Sequence, residues 1–542
     1  GSLVLVGGEP GIGKCVTGDT RILDPETGSL RTIESMLGDP TPVVSLDTAT
    51  FRLAPNPVAA TIDQGVHPVV RVTTRLGRSL RCTASHPVFT PAGWAQVGEL
   101  TRGARIASPR SLPYFGGASM PDHELKMIAY VLSDGSAQSA VCVTTALPEV
   151  EHDLRDLAAA FDLELRVYAK QGNQARSLRF VQPRSRRAIA RKEVATALKA
   201  AHASAGVSWA ELGRRANIDY SSLNAMRHAH TTPTADELAC LAQAAGVATE
   251  NLLPQARDRA EMKTSVARLL ESVGLRYTTA ATKQIPESIF RLSRAKLALF
   301  LKTLFSCDGS VYVNKHDQAG VSYSTISEQL ARDVQHLLLR FGLVARLRAK
   351  RSHVNERPYI AFELQLLGLQ NVRRFLEEIG ILGREAAKER IAALPEPVLS
   401  STGGDTVPTG AAFWGALAQA AQGDSFSEIS RRSRVKVMNR RHDRPLCRST
   451  VSALAAAYPA PYLKALGEGD LYWDEIERIV PDGEERVFDL SVPPHANFVA
   501  NDIVVHNSTL LAQVASSLSD AVGSVLYVSG EESERQIKLR GE

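Results

Sequence analysis

Four residues at two distant points of the sequence could together cut a peptide chain twice and rejoin it. Cys15 follows Lys14, and the run His506-Asn507 is followed by Ser508. A cysteine thiolate can attack the carbonyl of the residue before it, here Lys14, and convert the amide into a thioester near neutral pH. The Ser508 hydroxyl, just past the far end, can then take the acyl group as an ester. The Asn507 side-chain amide can attack its own carbonyl and close a succinimide, which frees everything from Cys15 to Asn507. The remaining Lys14–Ser508 ester rearranges to an ordinary amide. Thioester to oxygen ester is not strongly downhill, so the irreversible Asn507 ring closure pulls the sequence forward.

The residues outside that interval point the same way. Residues 2–14 read SLVLVGGEPGIGK, a β-rich apolar run leading into a glycine-rich turn. Gly8, Glu9, Pro10, Gly11, Ile12, Gly13 and Lys14 supply most of a phosphate-binding loop, but Cys15 stands where that loop needs a hydroxyl. The hydroxyl comes after the interval, with Ser508 and Thr509 opening STLLAQVASSLSD. Joining Lys14 to Ser508 gives a strand, a complete loop and a helix. Such a loop would hold ATP through backbone N–H groups, with Lys14 on the β/γ-phosphates and Ser508 on Mg²⁺. The joined flanks resemble the RadA-type DNA-repair ATPases of the RecA family, on GGEPGIGK, STLL and YVSGEES followed by QIKLR. The resemblance implies that Glu531 positions water for ATP hydrolysis, and that the host binds DNA and oligomerises. The chain ends before any Mg²⁺-binding acidic strand, so ATPase activity is expected only of a completed, spliced host. Its start, without Met, reads as a fragment of a longer protein.

The junction residues need a frame that holds both ends of the interval together, since a tight loop tolerates an insertion only if the inserted termini are close. VVRVTT, RSLRCTA and RVFDLSV read as strands of an all-β fold. CVTGDTRIL, RSLRCTASHPVFT and VFDLSVPPHANFVANDIVVHN resemble the Hint fold of inteins. The resemblance implies roles for the residues at matching places. Thr83 and His86, spaced TxxH, would polarise the upstream junction and protonate its leaving amine. Asp489 would tune Cys15, His495 would assist the transfer, and His506 would help Asn507 cyclise. Imidazole is the side chain suited to such proton traffic near neutral pH. His67 reads as structural. Splicing of this kind needs no cofactor.

Between the two halves of this frame the texture changes to alternating helices and strands. ELKMIAYVLSDGS and KLALFLKTLFSCDGS are both apolar helices running into Asp-Gly, at Asp134 and Asp308. Small residues recur four apart in each, Ala129 and Ser133 in the first, Thr303 and Cys307 in the second. That spacing is one helix face, along which two helices could pack and bring the carboxylates to one divalent metal. These segments, with TKQIPESIF and LLLRFGLVARLRAK, resemble the LAGLIDADG homing endonucleases. The resemblance implies a Mg²⁺-dependent nuclease, and a double-stranded DNA target in the host gene without its insert. It also implies that Lys283 stabilises the reacting phosphate or orients water.

Residues 191–253 read as short amphipathic helices resembling the Cro-like helix-turn-helix domain. They would present Ser221, Ser222, Asn224 and Arg227 to a DNA groove. An internal echo relates SWAELGRRANI (208–218) to SFSEISRRSRV (425–435). It predicts a second such unit at 410–460, whose Arg431, Arg432, Arg440 and Arg441 would contact phosphates.

The expected fold class is multidomain: an all-β Hint splicing domain, an α+β LAGLIDADG endonuclease with a helical insert, and α/β P-loop flanks. The expected boundaries are 1–14 for the upstream flank and 15–117 for the first part of the splicing domain. The nuclease would occupy 118–395, the second part of the splicing domain 470–507, and the downstream flank 508–542. The 542 residues carry 44% hydrophobic and 22% charged residues and a net charge of +5, as in ordinary globular proteins. No apolar run reaches the roughly 20 residues that span a bilayer, and no membrane partner is expected. Six scattered cysteines without a CxxC pair fit a reducing cytoplasm rather than a disulfide or zinc framework. Two other readings use the same residues. One is a P-loop ATPase with a permanent regulatory insert, which has no use for the Cys15 and His506-Asn507-Ser508 set. The other is a splicing interval whose nuclease has become a DNA-binding remnant, against which both aspartates stand.

Overall fold

The computed structural model describes residues 14–138, 140–169, 174–231, 233–252, 264–354, 357–366, 368–395, 405–437 and 445–507. The chain divides into two compact units, Gly1–Met120 with Gln284–Glu542, and Pro121–Lys283. The module expected at 118–395 therefore falls across both, its first half forming the second unit and its second half belonging to the first. None of the six cysteines forms a disulfide. Among the described residues no helix is long and apolar enough to cross a membrane.

The first unit is built around a long antiparallel pair, Ala60–Thr74 against Leu471–Ser491. Its sheet runs Val16–Thr17, Ser79–Cys82, Ala60–Thr74, Leu471–Ser491, Arg105–Pro109, and the short first strand also pairs directly with Leu471–Ser491. A second sheet, in the order Asn497–Ala500, Ile503–His506, Pro87–Thr90, Gly93–Gln96, carries the end of the interval. Alternation along these strands sends Val16, Val72, Leu80, Val88, Ile106, Phe488, Leu490, Phe498 and Val505 into one core. This is the strand-rich frame that the sequence predicts.

Residues 284–395 of the same unit are α+β. Helix Arg294–Asp308 leads to a four-stranded sheet in the order Gly309–Val313, Ala319–Thr325, Arg357–Leu366, Ala345–Val354, and helix Glu328–Arg340 lies between the second and third strands in sequence. The second unit repeats this plan. Helix Asp122–Leu132 precedes a sheet in the order Gly135–Ser136, Cys142–Thr145, Arg176–Val181, Glu164–Ala169, with helix Pro148–Ala160 in the corresponding place. Two successive copies of one helix–hairpin–helix–hairpin topology explain why the apolar-helix-to-Asp-Gly pattern occurs twice.

Each Asp-Gly also has the same local cause. A Cβ at Gly135 would come within 2.5 Å of the Val131 Cα, and one at Gly309 within 2.3 Å of the Phe305 carbonyl oxygen. Both glycines fold the chain back against the helix turn four residues earlier, where no side chain fits.

The helical insert of the second unit has its own small core, including Leu198, Leu212, Leu223, Leu238 and Leu241. In the first unit, the described residues between 405 and 468 form four helices, Ala411–Ala421, Phe426–Ser433, Arg448–Ala457 and Pro461–Glu468. Their apolar faces share a core with Leu46, Phe51, Phe89 and Trp473 of the splicing frame. Phe51 packs edge-on against Phe89 at 5.8 Å and Trp473 at 6.0 Å.

Candidate active site

Cys15 begins the first strand of the frame and is buried to 1% exposure beside Val69 and Val487. Two bonds tie it to Thr83. Its N–H donates to Thr83 Oγ1 at 3.2 Å, and its carbonyl accepts from the Thr83 N–H at 3.0 Å. Thr83 opens a turn closed by the His86 N–H on its carbonyl at 3.1 Å. That turn explains the TxxH spacing, because it carries the buried His86 ring back towards Lys14. Burial pushes His86 down to about 3, opposed by the Lys14 backbone, and the neighbouring His506 and Lys14 lower it further. Among the described residues neither His86 ring nitrogen has a hydrogen-bond partner of full geometry. His86 is therefore neutral at physiological pH, suited to relaying a proton rather than storing one.

The downstream junction lies on the same strand partner. Val16 pairs with Phe488, and Asn507, fully buried, donates its side-chain amide to the Leu490 carbonyl at 2.5 Å. The two ends of the interval thus rest two residues apart on Leu471–Ser491, about 7 Å at the strand rise. The Asn507 N–H donates to the Ala496 carbonyl at 2.9 Å, which brings the turn bearing His495 to the junction. His495 is half-buried, and its electrostatic partner is Asp47. Asp489 is buried, paired across to Ile62, with Oδ1 accepting from the Leu490 N–H at 2.9 Å. His506 stacks edge-on against Trp94 at 4.8 Å. Burial and the Lys14 charge push it down to about 4, opposed by the Asn507 backbone. His67 bonds the Gln64 carbonyl at 2.9 Å, a structural role. The sequence did not reveal the Leu490 and Ala496 carbonyls, which act through backbone alone, or Trp94, which carries no motif.

The two depressed histidines give a pH dependence of stability. As pH falls from the ordinary 6.5 towards about 3 or 4, the unfolded chain binds protons that folded His86 and His506 refuse. Stability is thus fully present above that window and is lost as pH falls through it. A Cys15→Ala, Asn507→Ala chain is expected to melt at a constant temperature above about pH 7 and at falling temperatures towards about pH 4. His86→Gln should flatten that slope. An unchanged slope in His86→Gln would show that His86 does not cause it.

Asp134 is exposed two residues beyond the end of helix Asp122–Leu132, in the second unit, and its carbonyl accepts from the Thr144 N–H at 3.2 Å. Asp308 is the last residue of helix Arg294–Asp308, in the first unit, and is half-buried. Each carboxylate stands at the C-terminal end of its helix, where the helix dipole favours a cation. The small residues Ala129, Ser133 and Thr303 are buried on their helices. Lys283 is buried as well, and Nζ donates to the carbonyls of Ser133 at 2.8 Å and Gly135 at 2.9 Å, on either side of Asp134. It therefore shapes the Asp134 turn from within the same unit. Among the described residues there is no cluster of three or more His, Cys, Asp or Glu arranged for a metal.

In the insert, helices Trp209–Ala216 and Tyr220–Arg227 flank a turn at Asn217, whose φ is 55°. Ser221 is exposed, with its hydroxyl given to the Asp219 cap at 2.5 Å. Ser222 and Asn224 are half-buried. Arg227 Nε donates to Asn224 Oδ1 at 2.8 Å, and its guanidinium lies over Trp209 and Tyr220. The echo is also local structure. Helices Trp209–Ala216 and Phe426–Ser433 are each capped by a serine accepting from the Glu N–H, at 3.2 and 3.3 Å, and each is stopped by a left-handed residue, Asn217 or Arg434. The second copy departs from the expected unit after that. Among the described residues no helix follows Phe426–Ser433 until Arg448–Ala457, and Val435 and Val437 enter the core instead. Arg431 is exposed, whereas Arg432 is engaged by Asp424 at 2.7 Å over the Tyr458 ring.

Arg440, Arg441, Gly8, Glu9, Pro10, Gly11, Ile12, Gly13, Ser508, Thr509 and Glu531 lie outside the described residues.

Residues 295–380 match the family described as a LAGLIDADG-like domain. The chain is 30% identical over 505 residues to a replicative DNA helicase DnaB of Rhodothermus marinus, covering 91% of this chain and 46% of that protein. It is 26% identical over 529 residues to a RecA protein of Mycobacterium tuberculosis, covering 91% and 56%. The chain spans about half the length of the curated relatives it matches. Among solved structures, a DnaB intein from Synechocystis is 30% identical, with a TM-score of 0.18 over 18% of this chain and 69% of that one. I-DmoI in complex with DNA and Mn is 10% identical, with a TM-score of 0.23 over 48% of this chain and 96% of that one.

Proposed function

We propose that this chain, an intein with a homing-endonuclease domain set into a RecA-family host, excises residues 15–507 and joins Lys14 to Ser508. The observation that carries this reading is the seating of both junctions on one strand, with Val16 against Phe488 and Asn507 on the Leu490 carbonyl. Cys15 is the first nucleophile and Thr83 holds its backbone. His86 and His506, neutral and close to Lys14, relay protons at the two junctions, Asp489 and His495 assist, and Asn507 cyclises. The joined product carries a complete phosphate-binding loop from Gly8 to Thr509, in a RadA-like host in which Glu531 serves ATP hydrolysis.

The excised interval cuts DNA. Asp134 and Asp308 would each offer a carboxylate to Mg²⁺, which would supply charge stabilisation for phosphodiester cleavage. Their placement at helix ends supports this, and Lys283 sets the shape of the Asp134 turn. Ser221, Ser222, Asn224 and Arg227 offer a recognition helix, and Arg431, Arg432, Arg440 and Arg441 a phosphate-binding flank. Of its two described members Arg431 is the better placed, since Arg432 also serves Asp424.

Mass measurement of the freshly expressed chain, in a host completed beyond Glu542, tests the reading. A joined host and a free interval are expected, and only the joined host should retain ATP. A single intact species binding ATP as tightly would favour instead a P-loop ATPase with a permanent insert.

A further inference from the structure

Helix Glu328–Arg340 belongs to the LAGLIDADG-like region, yet its polar residues serve the splicing frame. Asp333, Gln335, His336 and Arg340 are all buried. Asp333 pairs with Arg21 and accepts from the Ile285 N–H at 3.0 Å. Gln335 Nε2 spans the Leu76 and Ala345 carbonyls at 2.8 and 2.9 Å. Arg340 gives its two terminal nitrogens to the carbonyls of Phe290 at 2.6 Å and Gly28 at 2.7 Å, and its Nε to His336 Nε2 at 3.1 Å. Arginine can only donate, so His336 Nε2 accepts and its proton sits on Nδ1. That Nδ1–H faces Asp502 Oδ1 at 2.9 Å. Burial keeps His336 below its ordinary value, consistent with a neutral donor to a carboxylate.

Asp502 occupies a demanding place. Asn501 and Asp502, with φ of 46° and 60°, form the two-residue turn joining Asn497–Ala500 to Ile503–His506. Positive φ at both positions suits a tight hairpin but strains residues other than glycine, so the turn must be held. Asn501 is held by Arg21, whose N–H it accepts at 2.8 Å, and by donating Nδ2 to the Ser79 carbonyl at 3.1 Å. Asp502 is held by His336. The register of the hairpin sets His506 opposite Asn497, and Asn507 follows directly. Cys15 is held elsewhere, by Thr83 and by the pairing of Val16 with Phe488.

We infer that helix Glu328–Arg340 is a brace for the downstream splice junction, in which Arg340 orients His336 and His336 pins the Asp502 turn that sets His506 and Asn507 in place. His336, Arg340 and Asp502 are positioning residues. The inference rests on the splicing reading and adds that part of the nuclease-type domain supports one of its two cuts. Angstrom-scale misplacement of a reacting group costs up to about a hundredfold in rate.

Two rates separate the brace from general stability: thiol-induced cleavage at Lys14–Cys15, and Asn507-dependent release of the Ser508 segment, both in the full chain. In Asp502→Ala and in His336→Ala, which leaves the turn residues untouched, release is expected to slow by about tenfold or more. Thiol cleavage should be unchanged. Asp502→Asn keeps an oxygen acceptor for His336 Nδ1–H and should release near the wild-type rate. Wild-type release in both alanine variants, equal slowing at both junctions, or Asp502→Asn as slow as Asp502→Ala would each overturn the brace while leaving splicing intact as a reading. A wild-type chain making neither cut would overturn both.

Discussion

Cys15→Ala is expected to abolish thioester formation and ligation, and Asn507→Ala to abolish release of the downstream segment, each by about a thousandfold or more. Neither alanine leaves an alternative. Cys15 is the residue whose sulfur adjoins Lys14, and its backbone is fixed by Thr83 on both its N–H and its carbonyl. The alanine variant keeps those bonds, so it should fold and fail chemically. Asn507→Ala loses the bond to the Leu490 carbonyl, worth about 1 kcal/mol. It should still form the Cys15 thioester, which hydroxylamine would reveal as cleavage at Lys14. Intact excision in the double variant, read by mass, would sink the mechanism.

Asp134→Asn and Asp308→Asn are expected to reduce cleavage of the uninterrupted host gene near its Gly-Lys-Ser codons by about a thousandfold or more each. Splicing should be untouched. The substitution keeps shape and removes the charge that a divalent metal needs, and the bonds described for Cys15 and Asn507 go to Thr83, Leu490 and Ala496. Both helices should persist, because the close approach at Gly135 and Gly309 is retained. Cutting by the double variant at the wild-type rate with Mg²⁺ would remove the two residues from the active site. Cutting lost together with splicing would instead indicate a shared folding defect.

The proposed junction residues could be picked out in the sequence because the chemistry would place them next to the bonds they break. The strands, the echo that begins at Ser208 and Ser425 and both Asp-Gly turns were legible because each has a local cause. The rest depends on contacts between distant residues. Asp333, His336 and Arg340 are of residue types usually left in water, and the opposite charges that let them be buried are Arg21 and Asp502, far along the chain. The basic run after Ser425 suggested a DNA surface, yet Arg432 closes onto Asp424 and Tyr458, and Val435 and Val437 face inward. Lys283 suggested chemistry, and its two carbonyl partners give it a role in shaping the turn as well.

The long pair of Ala60–Thr74 with Leu471–Ser491 has a consequence for timing during synthesis. The first strand of the frame pairs with a strand that leaves the ribosome near the end of the interval, and Arg21 meets a partner 480 residues away. Closing so long a loop in an unfolded chain is slow and entropically costly. The segments between can shorten it by folding first, so the junctions can meet only after most of the interval has taken shape. Cys15 therefore stays chemically idle through nearly all of translation, and a prematurely terminated chain leaves the Lys14 peptide bond unbroken.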